Sequence, residues 1–363
     1  MNITGKTSFA AVVITAALAL AACGSDGGST ANSSASGSSS IDCVSASIKA
    51  SGSTAQKNAM AEWTNSYQKA CNGATIDYQA NGSGAGIKDF INKQTAFAGS
   101  DSALKEQDKT DADARCATGP AIDIPMVGGA IVAAYNVSGV DKLVLTPEIL
   151  SGIFSNTITK WNDPKIAAAN PGVTLPDATI AQFHRSDSSG TTDNWTKYLA
   201  AAGGSAWTFD HAKDWKAPGG QGAKGNDGVG AAIKSTPNSI GYVELSFALN
   251  NKLATAWVDN GAGAIEPTSE NAAKTIAAAT VGGSGNDIVL TLDYKTTTGY
   301  PAVLVTYEIT CQKGGDAALV PLTKSFLTYT ASDAAQATLS TTGYVPITGD
   351  VLTKVRAAVA SIS

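Results

Sequence analysis

This 363-residue chain is short of charge, of histidine and of basic clusters, and each shortage removes a class of function. Only 15% of its residues are charged, the formal net charge is −5, and no Lys/Arg cluster appears. The electrostatic footprint of a nucleic-acid binder is therefore missing. The two histidines, His184 and His211, show no H-x-x-H or H-E-x-x-H spacing, so no metal site is expected. No G-x-x-x-x-G-K-[ST] loop and no G-x-S-x-G elbow occur, which leaves neither ATP hydrolysis nor an activated serine to this chain. Gly220–Gly225 fits G-x-G-x-x-G, but it follows Ala217-Pro218-Gly219 where a dinucleotide fold needs a strand. It reads as a loop, and no cofactor is expected. Beyond the N-terminus no apolar run approaches membrane-spanning length.

The N-terminus carries an address. Lys6 precedes the apolar run Phe9–Leu20, which is too short to span a bilayer stably, and then comes Leu20-Ala-Ala-Cys23. This resembles a lipoprotein signal, residues 1–22, with Cys23 as the lipidated mature N-terminus. An ordinary secretory signal that happens to contain a cysteine is the alternative. Residues 23–42 are nearly all Gly, Ser, Ala, Asn and Thr, cannot bury a core, and read as a tether. An extracytoplasmic, lipid-anchored protein is expected.

Four further cysteines, Cys43, Cys71, Cys116 and Cys311, suit two disulfides in an exported protein, with three possible pairings. Cys43–Cys71 with Cys116–Cys311 is the expected set, because the first pair brackets one βα unit. Four buried thiols are the alternative.

Strand-like and helix-like patterns alternate from Ile41 to Ser363, which argues for an α/β fold of two domains. Predicted strands are Ser47–Ala50, Thr75–Gln79, Ala96–Ala98, Thr179–Phe183, Ile131–Asn136, Ile240–Glu244, Ala254–Trp257 and Val303–Ile309. Helices are expected over Ala55–Ala70 (Met60, Trp63 and Tyr67 on one face), Ile87–Lys93, Thr146–Phe154, Thr192–Leu199, Pro321–Ala331 and Gly349–Ser361.

The most informative segment is Phe183–Trp195, which sets Arg185, Asp187, hydroxyls and Gly190 between a strand and a helix. Unpaired N–H groups at a helix start, glycine and a planar guanidinium together suit a small oxyanion. Ser51–Thr54 and Asn81–Gly86 are strand-to-helix loops of the same composition. One such loop is more often only a cap and a turn. Three in one α/β chain point to helix starts converging on an anion.

In content and order these residues resemble the phosphate-binding lipoproteins of ABC-type phosphate importers, type II periplasmic binding proteins. The quoted motifs are Gly52-Ser-Thr54, Gly82-Ser-Gly84, Ala98-Gly-Ser-Asp101, Ile153–Pro164, Arg185–Thr191, Gly225–Gly228 and Gly241–Glu244. The resemblance implies a two-domain fold with a hinge and a ligand cleft, domain I being 43–132 plus 301–363 and domain II 133–300. It implies inorganic phosphate as ligand, held by Ser53, Thr54, Ala55 (through its N–H), Ser83, Asp101, Arg185, Ser189, Gly190 and Thr191. It also implies membrane permease subunits as partners, a monomer and no enzymatic activity. Many relatives have an aromatic where Ala55 stands.

The chemistry agrees with that ligand. Phosphate keeps a proton at neutral pH and sulfate keeps none, so an ionised Asp101 accepts a hydrogen bond from the first and meets only lone pairs on the second. A site built around such a bond rejects an analogue lacking it by roughly 10⁴-fold or more. Asp187 either accepts a second phosphate proton or braces Arg185, and the close spacing favours the brace. Binding of another tetrahedral oxyanion is the nearest alternative, and a secreted phosphate-ester hydrolase the one from another class.

Overall fold

The computed structural model describes residues 41–363, so the signal segment, Cys23 and the tether up to Ser40 lie outside the described residues. Strand β1 (Ser47–Gly52), helix α1 (Lys57–Ala70), β2 (Thr75–Gln79), α2 (Ser83–Ile91), β3 (Phe97–Ser100), α3 (Glu106–Arg115) and the long β4 (Ala121–Asn136) follow one another. One curled mixed sheet then runs in the order β2, β1, β3, Val303–Cys311, β4, Ser239–Glu244, Ala181–Arg185, Gln221–Ala223. β1 is parallel to both β2 and β3, and Ala181–Arg185 is parallel to both its neighbours. Val303–Cys311 and β4 run antiparallel between these two groups.

Composition explains the centre. β4 is buried from Ala121 to Tyr135, and its apolar run has no polar face to turn to solvent. Its first half pairs with Val303–Cys311 and its second half with Ser239–Glu244. α1 buries Ala59, Met60, Trp63 and Tyr67, the stripe its sequence spacing gives. Thr146 caps Pro147–Phe154 by accepting from the Ile149 amide, with Pro147 in the first turn. Cys43–Cys71 and Cys116–Cys311 are disulfides, the expected pairing.

Several boundaries differ from the sequence reading for local reasons. α1 starts at Lys57 and not Ala55, leaving Ser53–Gln56 as loop. α2 starts at Ser83, four residues before Ile87, and its glycines pack closely on neighbours: a Cβ on Gly86 would collide with Gly52. α3 went unseen since it is polar almost throughout and buries only Ala112. The expected strand Ala254–Trp257 is two short ones, Ala254–Thr255 and Trp257–Asp259. Gln221–Ala223 is not loop but a short edge strand beside Phe183–Arg185, feeding the helix Gly225–Ser235.

Candidate functional site

The loops that follow β1, β2, β3 and Ala181–Arg185 meet, at the usual place for a ligand in open α/β sheets. The Gly82 amide donates to Gly52 O at 2.8 Å, the Gly84 amide to Ser188 O at 3.0 Å and Thr191 Oγ1 to Asp101 at 3.0 Å. Gly52 ends β1 with φ +139°, and a Cβ there would strike the Gly99 carbonyl. Glycine thus lets β1 leave the sheet against β3, and the Ser53 amide then donates to Gly99 O at 2.8 Å. The Ser53 hydroxyl donates to Asp101 Oδ1 and accepts from the Ala55 amide at 3.0 Å. So the Ala55 N–H expected to face a ligand is here turned onto Ser53. Thr54 Oγ1 accepts from the Asn226 amide at 3.1 Å and from Asn226 Nδ2 at 2.9 Å.

Ser83, in the first turn of α2, joins two other segments. Its hydroxyl accepts the Asp101 amide at 3.2 Å and the Gly190 amide at 3.1 Å. Asp101 follows directly on β3 and is 3% exposed. Oδ1 accepts from Ser53 and from Thr306 Oγ1, the latter at 2.8 Å, and Oδ2 accepts from Thr191 Oγ1 at 3.0 Å. Burial raises the Asp101 pKa above the usual carboxylate value, although those three hydroxyls and the Arg185 charge pull the other way. The result is a buried, comparatively basic acceptor.

Arg185 ends its strand almost wholly buried, with its own amide donating to the Tyr242 hydroxyl at 3.1 Å. Nε donates to Asp187 Oδ1 at 2.7 Å and Nη2 to Asp187 Oδ2, a fork-on-fork pair. Nη1 remains, 3.4 Å from Thr191 Oγ1. Burial alone would raise the Asp187 pKa, but the Arg185 bonds and charge and the Gly225 amide, 3.0 Å away, hold it below the usual value. Both its oxygens are engaged within the protein. Ser189 caps the helix Gly190–Ala202, accepting from the Thr192 amide at 3.1 Å.

The structure therefore brings Ser53, Ser83, Asp101, Arg185, Gly190 and Thr191 into one hydrogen-bonded cluster, with Thr54 joined to it through Asn226, whose Nδ2 also lies 3.4 Å from Thr191 Oγ1. Sequence reasoning missed Thr306, Asn226 and Tyr242. Asn226 sits in the quoted Gly225–Gly228 motif, so a signal existed. Thr306 lies inside an apolar strand and gave none. His184 stacks on Trp215 at 4.9 Å, as a strand-end residue would. Among the described residues no group of three or more His, Cys, Asp and Glu could hold a metal.

Chemically, three hydroxyls hold one carboxylate while a guanidinium and the starts of α2 and Gly190–Ala202 lie alongside. A buried basic acceptor beside the remaining guanidinium nitrogen of Arg185 suits an oxyanion that still carries a proton.

Comparison with known proteins gives a consistent result. The model of the PBP superfamily domain matches residues 29–334. Phosphate-binding protein PstS 3 of Mycobacterium tuberculosis (strain H37Rv) is 42% identical, over 97% of this chain and 97% of that one. Phosphate-binding protein PstS 2 of the same organism is 42% identical, covering 98% and 99%. In fold, the chain is similar to the high-affinity periplasmic phosphate-binding protein PfluDING with bound phosphate, at TM-score 0.70, 21% identity, and 86% and 93% coverage. A human phosphate binding apolipoprotein is likewise similar, at TM-score 0.71, 22% identity, and 85% and 93% coverage.

Proposed function

We infer function from membership: the chain belongs to the PBP superfamily and, within it, to the PstS phosphate-binding proteins. It is an extracytoplasmic solute-binding protein that captures inorganic phosphate for an ABC-type importer. The observation that carries the reading is Asp101, a buried carboxylate accepting three hydroxyl hydrogen bonds where helix starts and Arg185 converge. Sulfate or molybdate needs donors and no such acceptor, so the alternative oxyanions fit less well.

The assignment of roles is ours. Thr54, Ser83 and Ser189 donate through their hydroxyls to the unprotonated oxygens, and Ser53, Thr191 and Thr306 set the Asp101 carboxylate. The Ala55 and Gly190 amides, held here by Ser53 and Ser83, reach the ligand once those bonds give way. Arg185 supplies charge from Nη1, braced by Asp187. Domain I (43–132 plus 301–363) and domain II (133–300) close on the ligand, β4 continuing from one to the other. The protein works as a monomer, as a binder and not as an enzyme, held at the membrane through lipidated Cys23. Detergent phase partition of the wild type and Cys23→Ala tests the anchor.

Isothermal titration with phosphate, sulfate and a phosphate ester tests the function. Tight phosphate binding with sulfate weaker by orders of magnitude is expected. Equal affinity for the two ions would overturn the role of Asp101, and turnover of the ester would favour the hydrolase.

A further inference from the structure

Thr306 and Glu308 lie two residues apart on the strand Val303–Cys311, on either side of an irregularity in its pairing with β4. Thr306 reaches Asp101, while Glu308 lies opposite Gly99 of β3 on one side and Ile124 of β4 on the other. Glu308 is completely buried, and neither carboxyl oxygen has a hydrogen-bond partner among the described residues. The Gln56 side chain lies against it, and Gln56 Oε1 is equally without a partner. Gln56 Nε2 donates to the Tyr78 hydroxyl at 3.0 Å, and that hydroxyl donates to the Ser53 carbonyl at 2.8 Å. Ser53 in turn donates to Asp101.

Buried acceptors left without a donor in a dry interior are costly, and a proton on Glu308 shared with Gln56 removes the cost. We propose that Glu308 is a positioning residue for the anion site: it works as a neutral acid, donating its proton to Gln56 Oε1. Every bond then runs one way, from Glu308 through Gln56 and Tyr78 to the Ser53 carbonyl. Ionising Glu308 reverses that order. The Gln56 amide must turn to donate to the carboxylate, Tyr78 must donate back to Gln56, and the Ser53 carbonyl loses its donor. The loop that bears Thr54 and Ala55 is loosened, and a second negative charge stands beside Asp101.

The ionisable groups facing Glu308 are Asp101 at the end of β3 and Tyr78 on β2, and β4 offers only Ile124 opposite it. None of these is a cation. Burial first, then the Asp101 charge, pushes the Glu308 pKa up to about 8, with the Gln56 side chain opposing. The group is therefore mostly neutral at neutral pH and ionises through the mildly alkaline range. Phosphate binding, which favours the neutral form, weakens as pH rises through that value.

This rests on the phosphate reading above, and one titration series separates the two. Phosphate itself loses a proton near neutral pH, so the wild type is read against variants that report the ligand's own contribution. Phosphate affinity is measured by calorimetry between about pH 7 and about pH 9.5 for the wild type, Glu308→Gln and Glu308→Met. Wild-type Kd is expected to rise by more than about ten-fold over that range, approaching about ten-fold per pH unit at the alkaline end. Both variants should show only the ligand's own change near neutral pH and be flat above it, since the amide of Gln still donates to Gln56 and Met carries no charge. A wild-type profile that is flat above neutral pH overturns the proposal whether or not the variants fold, and so does a fall there that either folded variant shares. No heat with phosphate at the lower pH would instead mean that the phosphate reading itself has failed.

Discussion

Gly190 sits so close to Asp101 that a Cβ on it would lie 2.6 Å from the Asp101 Cβ and 2.7 Å from the Ser83 hydroxyl. The first residue of the helix Gly190–Ala202 is thus seated against both the acceptor carboxylate and the start of α2. Gly190→Ala must displace one of them, at about 1–3 kcal/mol for a methyl forced into a packed site. Phosphate affinity should fall by about ten-fold or more. Circular dichroism should be unchanged, because the strain falls on the contact between segments and not on the helix. Calorimetry checks this, and an unaltered Kd would mean that the contact is not part of binding.

Asp101→Asn separates affinity from selectivity. The neutral side chain presents a donor where a phosphate proton would arrive, so phosphate binding should weaken while sulfate binding strengthens. The ratio of the two constants should collapse by at least about a hundred-fold. The raised pKa adds a stability prediction. A carboxyl whose folded pKa exceeds its unfolded value loses stability as pH rises from the unfolded value through the folded one. At neutral pH the ionised group therefore opposes folding. In phosphate-free buffer Asp101→Asn should remove this group's share of the pH dependence of stability, read as melting temperature against pH.

How far the sequence reached depends on the kind of signal. Gly52, Ser83, Arg185 and Gly190 stood out because strand-to-helix loops of Gly, Ser and Thr are locally legible. Thr306 and Glu308 were invisible because a polar residue inside an apolar strand has no local signature of what lies across the sheet. α3 was missed for the opposite reason, having almost no apolar face. The order of strands also escaped, since Val303–Cys311 inserts between β3 and β4 from the far end of the chain. Local chemistry and the Cys116–Cys311 link were readable, and the order of strands across the sheet was not.

The two disulfides should differ in worth. Cys43–Cys71 spans 28 residues and Cys116–Cys311 spans 195. Loop-closure entropy scales with the logarithm of that span, so removing the longer link should cost about 1–2 kcal/mol more than removing the shorter. Urea unfolding of Cys43→Ala/Cys71→Ala and Cys116→Ala/Cys311→Ala compares them. Cys311 also ends the strand that carries Thr306 and Glu308, so loss of the longer link should loosen phosphate binding as well.

Asp187 gives the sharpest test of a brace against a ligand group. Its oxygens take both Arg185 Nε and Nη2, and Arg185 is 1% exposed. Asp187→Asn strands a buried guanidinium, which costs about 3–5 kcal/mol where a buried pair is broken. The folded pKa of Asp187 is depressed, so its contribution is complete above the unfolded value of about 4 and disappears as pH falls through the folded one. The stability gap between wild type and Asp187→Asn should therefore be full at neutral pH and shrink only below about pH 4. Urea unfolding at several pH values reads it directly. A residue that served only to accept a phosphate proton would show no such gap in phosphate-free buffer, and its loss would change affinity alone.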